Sequence, residues 1–296
     1  MSKLLSLCIP TNGVVEWVIP VLESILNQNV DDDLYEIVIS DNGSNDLFEK
    51  ELNKYLIQHN NIIYKKSNSN GFLNQIDCFK MASGSFVKFV NHRAKLIDGS
   101  LEMLINFINN NKEKQPVVFF SNGSLKHKDM IQHYNNFDSF VRSLGIYSSW
   151  SGGIGIWKAQ LSKIIEIKNF NVLFPHTDIL FSDKTAKHYV INNNLMFDEI
   201  DVGHEKKGKY NVFYAFAIEY PSILMELMKS RYISIQTFNY LLRENRKFVT
   251  NLYRNFIFLK KPCSYILDDY KDYINVFYSE KQMKFAAYFP PIFRRV

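Results

Sequence analysis

Residues Glu36-Ile37-Val38-Ile39-Ser40-Asp41-Asn42-Gly43-Ser44 (EIVISDNGS) run from an apolar stretch straight into a polar turn. A short, β-branched run closed by Asp, Asn and Gly reads as a strand, here 35–39, followed by a loop over 41–46. Upstream, residues 4–9 form a similar apolar strand, ended by Pro10-Thr11-Asn12-Gly13. Between the two, Trp17, Val21, Ile25 and Leu26 recur near helical spacing and predict a helix over 15–28. The alternation continues downstream: helix 47–58, strand 62–65, turn 67–71, helix 72–81, strand 85–90, helix 101–109 and strand 117–120.

Strands alternating with helices predict an α/β fold with a parallel, doubly wound sheet. Ligands of such sheets bind beyond the carboxyl ends of the strands. The loops at those ends are IPTNG (9–13), SDNGSND (40–46) and NHRAK (91–95), and these are the candidate binding loops. After about Tyr210 the texture changes. Residues 213–228 and 233–258 read as helices rich in aromatic and basic side chains. We therefore expect a catalytic domain over 1–205 and a helical, basic, aromatic-rich extension over 206–296.

The 296 residues are 46% hydrophobic, which is enough for a large core and excludes global disorder. Cys8, Cys78 and Cys263 are widely spaced and form no CxxC pair, so reduced thiols are expected. No leader is visible, and no run approaches the roughly 18 apolar residues that span a bilayer. A cytoplasmic location is expected. The charge is uneven: residues 205–296 hold 16 Lys and Arg against 8 Asp and Glu, or +8, while the rest holds 19 against 22, or −3. A basic, aromatic tail suits an anionic partner, and a lipid surface at the inner face of the membrane is the candidate. Packing onto the sheet or a dimer contact would explain the same composition. No nucleic-acid recognition motif accompanies the charge.

The ordered series Leu7-Cys8-Ile9-Pro10-Thr11, Leu22-Glu23-Ser24-Ile25-Leu26, EIVISDNGS, Asn70-Gly71 and Ala82-Ser83-Gly84-Ser85-Phe86-Val87 resembles the family 2 glycosyltransferases of GT-A fold. It is most similar to the branch that includes abequosyltransferase-like enzymes of bacterial surface polysaccharide synthesis. The resemblance covers about 3–108 well and 147–185 more loosely. It implies a Rossmann-like, mostly parallel central sheet flanked by helices, and a nucleotide-sugar donor bound over the strand ends. Pro10 and Thr11 would line the base pocket, and Asp41 would contact base or ribose. Asp41 equally suits a helix N-cap or an Asx turn. Where the family has Tyr-Asn after Pro-Thr, this chain has Asn12-Gly13.

The family's strand corresponding to 86–90 ends in an Asp-x-Asp motif that binds Mg²⁺ or Mn²⁺. Here Asn91-His92-Arg93 take that place. Hard cations want oxygen ligands, and a guanidinium repels them. No metal or other cofactor is therefore expected; a weakly held Mn²⁺ or Mg²⁺ through Asn91, His92 and water is the alternative. Arg93, with His92, would instead stabilise the leaving diphosphate through charge-assisted hydrogen bonds. Lys206 and Lys207 would add cations from a loop. Asp31-Asp32-Asp33 precedes the second strand and reads as an exposed turn, and Asp268-Asp269 lies in a charged tail segment.

The resemblance also places an acceptor site. Phe174-Pro175-His176-Thr177-Asp178 fits the family's acidic pair at a helix start, with Thr177 replacing the first acid and Asp178 matching the second. Asp178 would be the general base. Trp150 would stack on a sugar, Gly152 would allow close backbone approach, and His176 would adjoin the acceptor. The expected activity is inverting transfer of a sugar to a saccharide, with a lipid-linked surface glycan as the candidate acceptor. The alternative is a non-catalytic nucleotide-sugar or partner-binding protein on the same fold.

Overall fold

A computed structural model describes residues 3–126, 129–203 and 208–288. In chain order the elements of the first region are β1 (Leu5–Thr11), α1 (Val15–Leu26), β2 (Tyr35–Asp41), α2 (Asp46–Gln58), β3 (Ile62–Lys66), α3 (Asn74–Met81), β4 (Phe86–Phe89), β5 (Ala94–Leu96), α4 (Ser100–Asn111), β6 (Val117–Phe120) and β7 (Ile131–Tyr134). Then come α5 (Phe137–Leu144), β8 (Ile154–Trp157), α6 (Leu161–Ile165), α7 (Pro175–Leu180), β9 (Tyr189–Asn192) and β10 (Phe197–Glu199). Helices α8 (Val212–Tyr214), α9 (Tyr220–Lys229), α10 (Ile235–Leu252), α11 (Tyr270–Phe277) and α12 (Glu280–Tyr288) follow.

Eight strands form one mostly parallel sheet in the order β3-β2-β1-β4-β8-β6-β9-β7, and β10 pairs antiparallel with β5 in a small ribbon. β1, β2, β3 and β4 run parallel; β8 runs against both β4 and β6. β1 and β2 are buried on both faces, which is why they read as unbroken apolar runs. Leu5, Leu7 and Ile9 alternate onto one face, where they meet Val18, Val21, Leu22 and Ile25 of α1. On the opposite face Cys8 donates to the Cys78 carbonyl at 3.6 Å, and Cys78 donates to the Val38 carbonyl at 3.3 Å, so α3 covers that side. Both thiols are buried and free, and burial pushes Cys8 well above the usual thiol range.

At the sheet's amino end Glu36 is buried but not bare. Its carboxylate accepts from Ser6 Oγ (2.5 Å), Ser83 N (2.6 Å) and Ser83 Oγ (2.8 Å). Gly84 fits there because a Cβ would lie 2.7 Å from both the nitrogen and the hydroxyl of Ser6. The carboxyl end is where the chain reverses its order about β1: β2 lies on one side and β4 on the other. A crevice opens at such a switch point.

The chain falls into two compact units, Met1–Asn136 with Trp150–Ile200, and Phe137–Ser149 with Asp201–Val296. The second unit is helical. Its core gathers Val212, Phe213, Ala217, Val249, Tyr253, Ile274, Met283 and Ala287. Asn245, buried in that core, donates to the Phe216 carbonyl (2.7 Å) and the Tyr278 hydroxyl (2.6 Å). Two π-helical turns, over 215–219 and 253–258, interrupt its long helices. Among the described residues, no helix is long and apolar enough to cross a membrane.

Candidate active site

The loops after β1, β2 and β4 meet at the carboxyl end of the sheet. Thr11 Oγ accepts from the Gly13 N–H (3.0 Å) and shares a hydrogen bond with His92 Nδ1 (3.0 Å). That bond ties the first loop to the loop after β4. The first and second loops are pressed closer still. A Cβ on Gly43 would lie 2.0 Å from the Asn12 carbonyl oxygen, so glycine is obligatory there. Asn45 caps α2, accepting from Leu47 N, and its amide donates to the Gly13 carbonyl at 2.8 Å.

Asp41 does not cap α2. It is fully buried, and its carboxylate accepts from Gly43 N (2.8 Å), the Tyr64 hydroxyl (3.2 Å) and Lys66 Nζ (2.6 Å). Strand register sets the last contact, because Asp41 and Lys66 are direct partners in the β2–β3 pair. Gly13 sits against the same carboxylate: a Cβ would stand 3.2 Å from Oδ1 and 3.3 Å from the Phe48 ring, at a φ of +73°. The missing side chain at Gly13 thus accommodates Asp41 and Phe48. Pro10 is half-exposed at this end, while Thr11 is buried.

Asn91, His92 and Arg93 form a turn whose atoms are engaged locally. Asn91 Oδ1 accepts from the Arg93 N–H at 3.1 Å. The His92 ring stands edge-on to Trp17, with centroids 5.1 Å apart. Burial, and then the neighbouring Arg93 charge, push His92 down to about 3, so it is neutral at ordinary pH. The Arg93 guanidinium lies 5.3 Å from the Trp17 ring centroid, in cation–π range. Lys95 pairs across the ribbon with Asp198 at 3.8 Å. At this turn one amide oxygen accepts within the turn, the imidazole Nδ1 is shared with Thr11, and a guanidinium stands beside them, a donor set poor in the anionic oxygens that a hard divalent cation prefers. Among the described residues no group of three or more His, Cys, Asp or Glu side chains could hold a metal ion.

A narrow crevice, with an open volume of about 10 Å³ or room for about one water, borders this turn. Phe89, Val90, Asn91, Ala94, Trp150, Gly152, Phe197 and Glu199 line it. Asn91, Trp150 and Gly152, from distant parts of the sequence, thus converge. A Cβ on Gly152 would meet the Trp150 indole at 3.2 Å, so the indole packs on the glycine. Gly153 and Gly155 serve other ends. Their faces are filled by the Phe119 ring and by the Phe86 and Phe120 rings, which a Cβ would strike at 2.2 and 2.5 Å. Only Gly152 of this run borders the cleft.

Asp178 sits in the first turn of α7, where a carboxylate is favoured by the helix dipole. It is half-buried, accepts from Asn171 N at 2.6 Å, and its charge acts on Lys184. His176 on the same short helix is buried, edge-on to Phe174 with centroids 5.8 Å apart, and does not line the cleft. Lys206 and Lys207 lie outside the described residues. Asp31 to Asp33 form the exposed turn before β2, with Asp32 accepting from the Tyr35 hydroxyl at 2.8 Å.

Four residues of this site are not evident from the sequence pattern. Trp17 was expected on the apolar stripe of α1, but the helix buries Val18, Val21, Leu22 and Ile25 and leaves Trp17 one position off it, facing the loop after β4. Lys66 and Glu199 needed strand register and the β5–β10 ribbon. Lys88 lies inside β4, fully buried.

The Glycosyl transferase family 2 model matches residues 6–177. No curated protein sequence matches the chain. Among solved structures, residues 1–349 of Staphylococcus aureus TarS superpose with a TM-score of 0.60 at 16% identity, covering 85% of this chain and 74% of that one. The same TarS fragment, solved in complex with UDP-GlcNAc, also gives 0.60, covering 85% and 73%. The mannosyltransferase PcManGT of Pyrobaculum calidifontis, solved with GDP-Man and Mn²⁺, gives 0.52 at 11% identity, covering 97% and 86%. These likenesses establish the GT-A architecture of the sheet just described. With the family model spanning more than half of its length, this chain belongs to glycosyl transferase family 2.

Proposed function

We propose that this glycosyltransferase is an inverting enzyme that moves a sugar from a nucleotide donor to a saccharide acceptor without a divalent cation. The observation that carries this reading is the turn after β4, where Asn91, His92 and Arg93 supply an amide, a neutral imidazole and a cation beside the cleft. In the reaction the acceptor oxygen bonds to the anomeric carbon as the bond from that carbon to the diphosphate breaks. The diphosphate leaves with the electron pair, and the acceptor proton passes to the Asp178 carboxylate. Arg93, released from Trp17, hydrogen-bonds the departing phosphate oxygens, supplying the charge that a metal supplies elsewhere. Pro10 and Thr11 receive the nucleotide. Asp41 reaches it only when Lys66 moves aside. Trp150 offers an aromatic face to a pyranose, and Lys206 and Lys207 add cationic charge. The motifs favour the abequosyltransferase-like branch and a surface glycan as acceptor.

A panel of UDP, CDP, GDP and their sugar conjugates, each in EDTA and in Mn²⁺, tests the donor site by thermal shift. A ligand at 100 times its Kd stabilises by about 2.7 kcal/mol. One nucleotide class is expected to raise Tm equally in both buffers. Stabilisation confined to Mn²⁺ would overturn the role given to Arg93, and no stabilisation by any nucleotide would favour a non-catalytic binding protein.

We further assign the helical unit to an anionic membrane surface. Phe258, Leu259 and Tyr288 are exposed, the Phe258 and Tyr288 rings touch at 4.7 Å between centroids, and exposed Lys260, Lys261 and Lys284 flank them in sequence. Aromatic and basic side chains together favour an interface of anionic lipid, at about 1 kcal/mol per Lys or Arg. The full chain is expected to sediment with phosphatidylserine vesicles, to stay in solution with phosphatidylcholine vesicles, and to be released by high salt. Equal behaviour with both lipids would refute the assignment.

A further inference from the structure

Strand β4 reads Phe86-Val87-Lys88-Phe89, and its one polar side chain is fully buried. Lys88 Nζ donates to the Phe89 carbonyl at 2.7 Å and to the Gly152 carbonyl at 2.7 Å. The rings of Phe197 and Phe120 lie 4.9 and 5.2 Å from the same nitrogen. Among the described residues no carboxylate pairs with it, and burial alone pushes it down to about 7. Burying an amine without a carboxylate is costly, and an apolar side chain would serve the core better.

The contacts say what the amine does. Phe89, Gly152 and Phe197 all line the cleft that holds Asn91 and Trp150. Phe89 is two residues before Asn91, and Gly152 is two residues after Trp150, whose indole packs on it. Both carbonyls therefore belong to residues that line the crevice, one next to the Asn91 turn and one next to the Trp150 turn. Resting on the transfer reading above, we propose that Lys88 is a positioning residue, whose amine holds the Asn91 turn and the Trp150 turn at the separation the reacting sugar requires.

The test uses the full chain labelled with 5-fluorotryptophan, in which Trp17, Trp150 and Trp157 give three resonances, each assigned by its Trp→Phe variant. Lys88→Met and Lys88→Gln are compared with the wild type by ¹⁹F NMR, and by hydrolysis of whichever nucleotide sugar stabilises the wild type. Positioning predicts that the Trp150 resonance and that of Trp17, which packs on His92 and Arg93 of the Asn91 turn, shift or broaden while that of Trp157 holds. Trp157 is the control, since it pairs with Phe86 of the same strand and would move if β4 itself were disturbed. It also predicts that kcat falls roughly 100-fold, the cost of misplacing a reacting group by about 1 Å, with donor KM little changed. An unmoved Trp150 resonance with wild-type kcat overturns the inference. So does unfolding of both variants, which would assign Lys88 to stability alone. Failure of every nucleotide sugar to bind the wild type would count against the transfer reading instead, and the ¹⁹F comparison would still decide whether Lys88 orders the cleft.

Discussion

Asp178→Asn is expected to lower sugar transfer by roughly 10²- to 10⁴-fold, the usual contribution of a general base, while leaving donor affinity unchanged. The substitution is close to isosteric, and an amide oxygen can still accept from Asn171 N, the 2.6 Å contact that anchors the carboxylate. Folding is therefore expected to survive, and circular dichroism with nucleotide-induced thermal shift checks that it does. What is lost is the ability to hold the acceptor proton. Undiminished transfer by Asp178→Asn would remove the base from this position. A matched loss of donor affinity would show that the residue shapes the donor site instead.

A large stability effect is expected at Gly153. A Cβ there would lie 2.2, 2.3 and 2.7 Å from three atoms of the Phe119 ring, closer than any packed methyl tolerates. Phe119 is itself fully buried in β6, so the ring has no open space to enter. Gly153→Ala is expected to cost roughly 1–3 kcal/mol, the range for overpacked cores, read as a lowered Tm or denaturation midpoint. Phe119→Leu opens the space that the methyl needs. The double variant should then be less destabilised than the sum of the single variants, with a coupling of about 0.5–3 kcal/mol. Strict additivity would mean that the ring is not what excludes the methyl. The neighbouring Gly152 predicts a different outcome, because its nearest contact is the Trp150 indole at 3.2 Å, on the cleft side.

Most of the sheet was readable along the chain. The strands over 5–11, 35–41, 86–89 and 117–120 are mostly apolar runs that end in turns rich in Asn, Asp and Gly, and 62–66 opens on an apolar pair before a Ser- and Asn-rich turn; those local signals do not depend on distant partners. The helices α1, α2 and α4 have apolar stripes at helical spacing and needed only a buried face to pack on. The short strands β5, β7, β9 and β10 were not readable. No strand was assigned to them from the sequence, and each is held in place by the hydrogen bonds of its partner strand.

The candidate site divides along the same line. The absence of carboxylates at Asn91, His92 and Arg93 is a property of residue type, and the sequence states it without any fold. So are the carboxylate at Asp178 and the glycines of the two donor-side loops. What these groups touch was decided by the tertiary structure. Register places Lys66 on Asp41, the offset of Trp17 from the buried stripe places it on His92 and Arg93, and the packing of β8 beside β4 brings Gly152 to Lys88. Hydrogen bonds and ring contacts reach only a few ångströms, so they depend on which strands become neighbours. That choice follows from the burial of the whole sheet rather than from any local stretch of sequence.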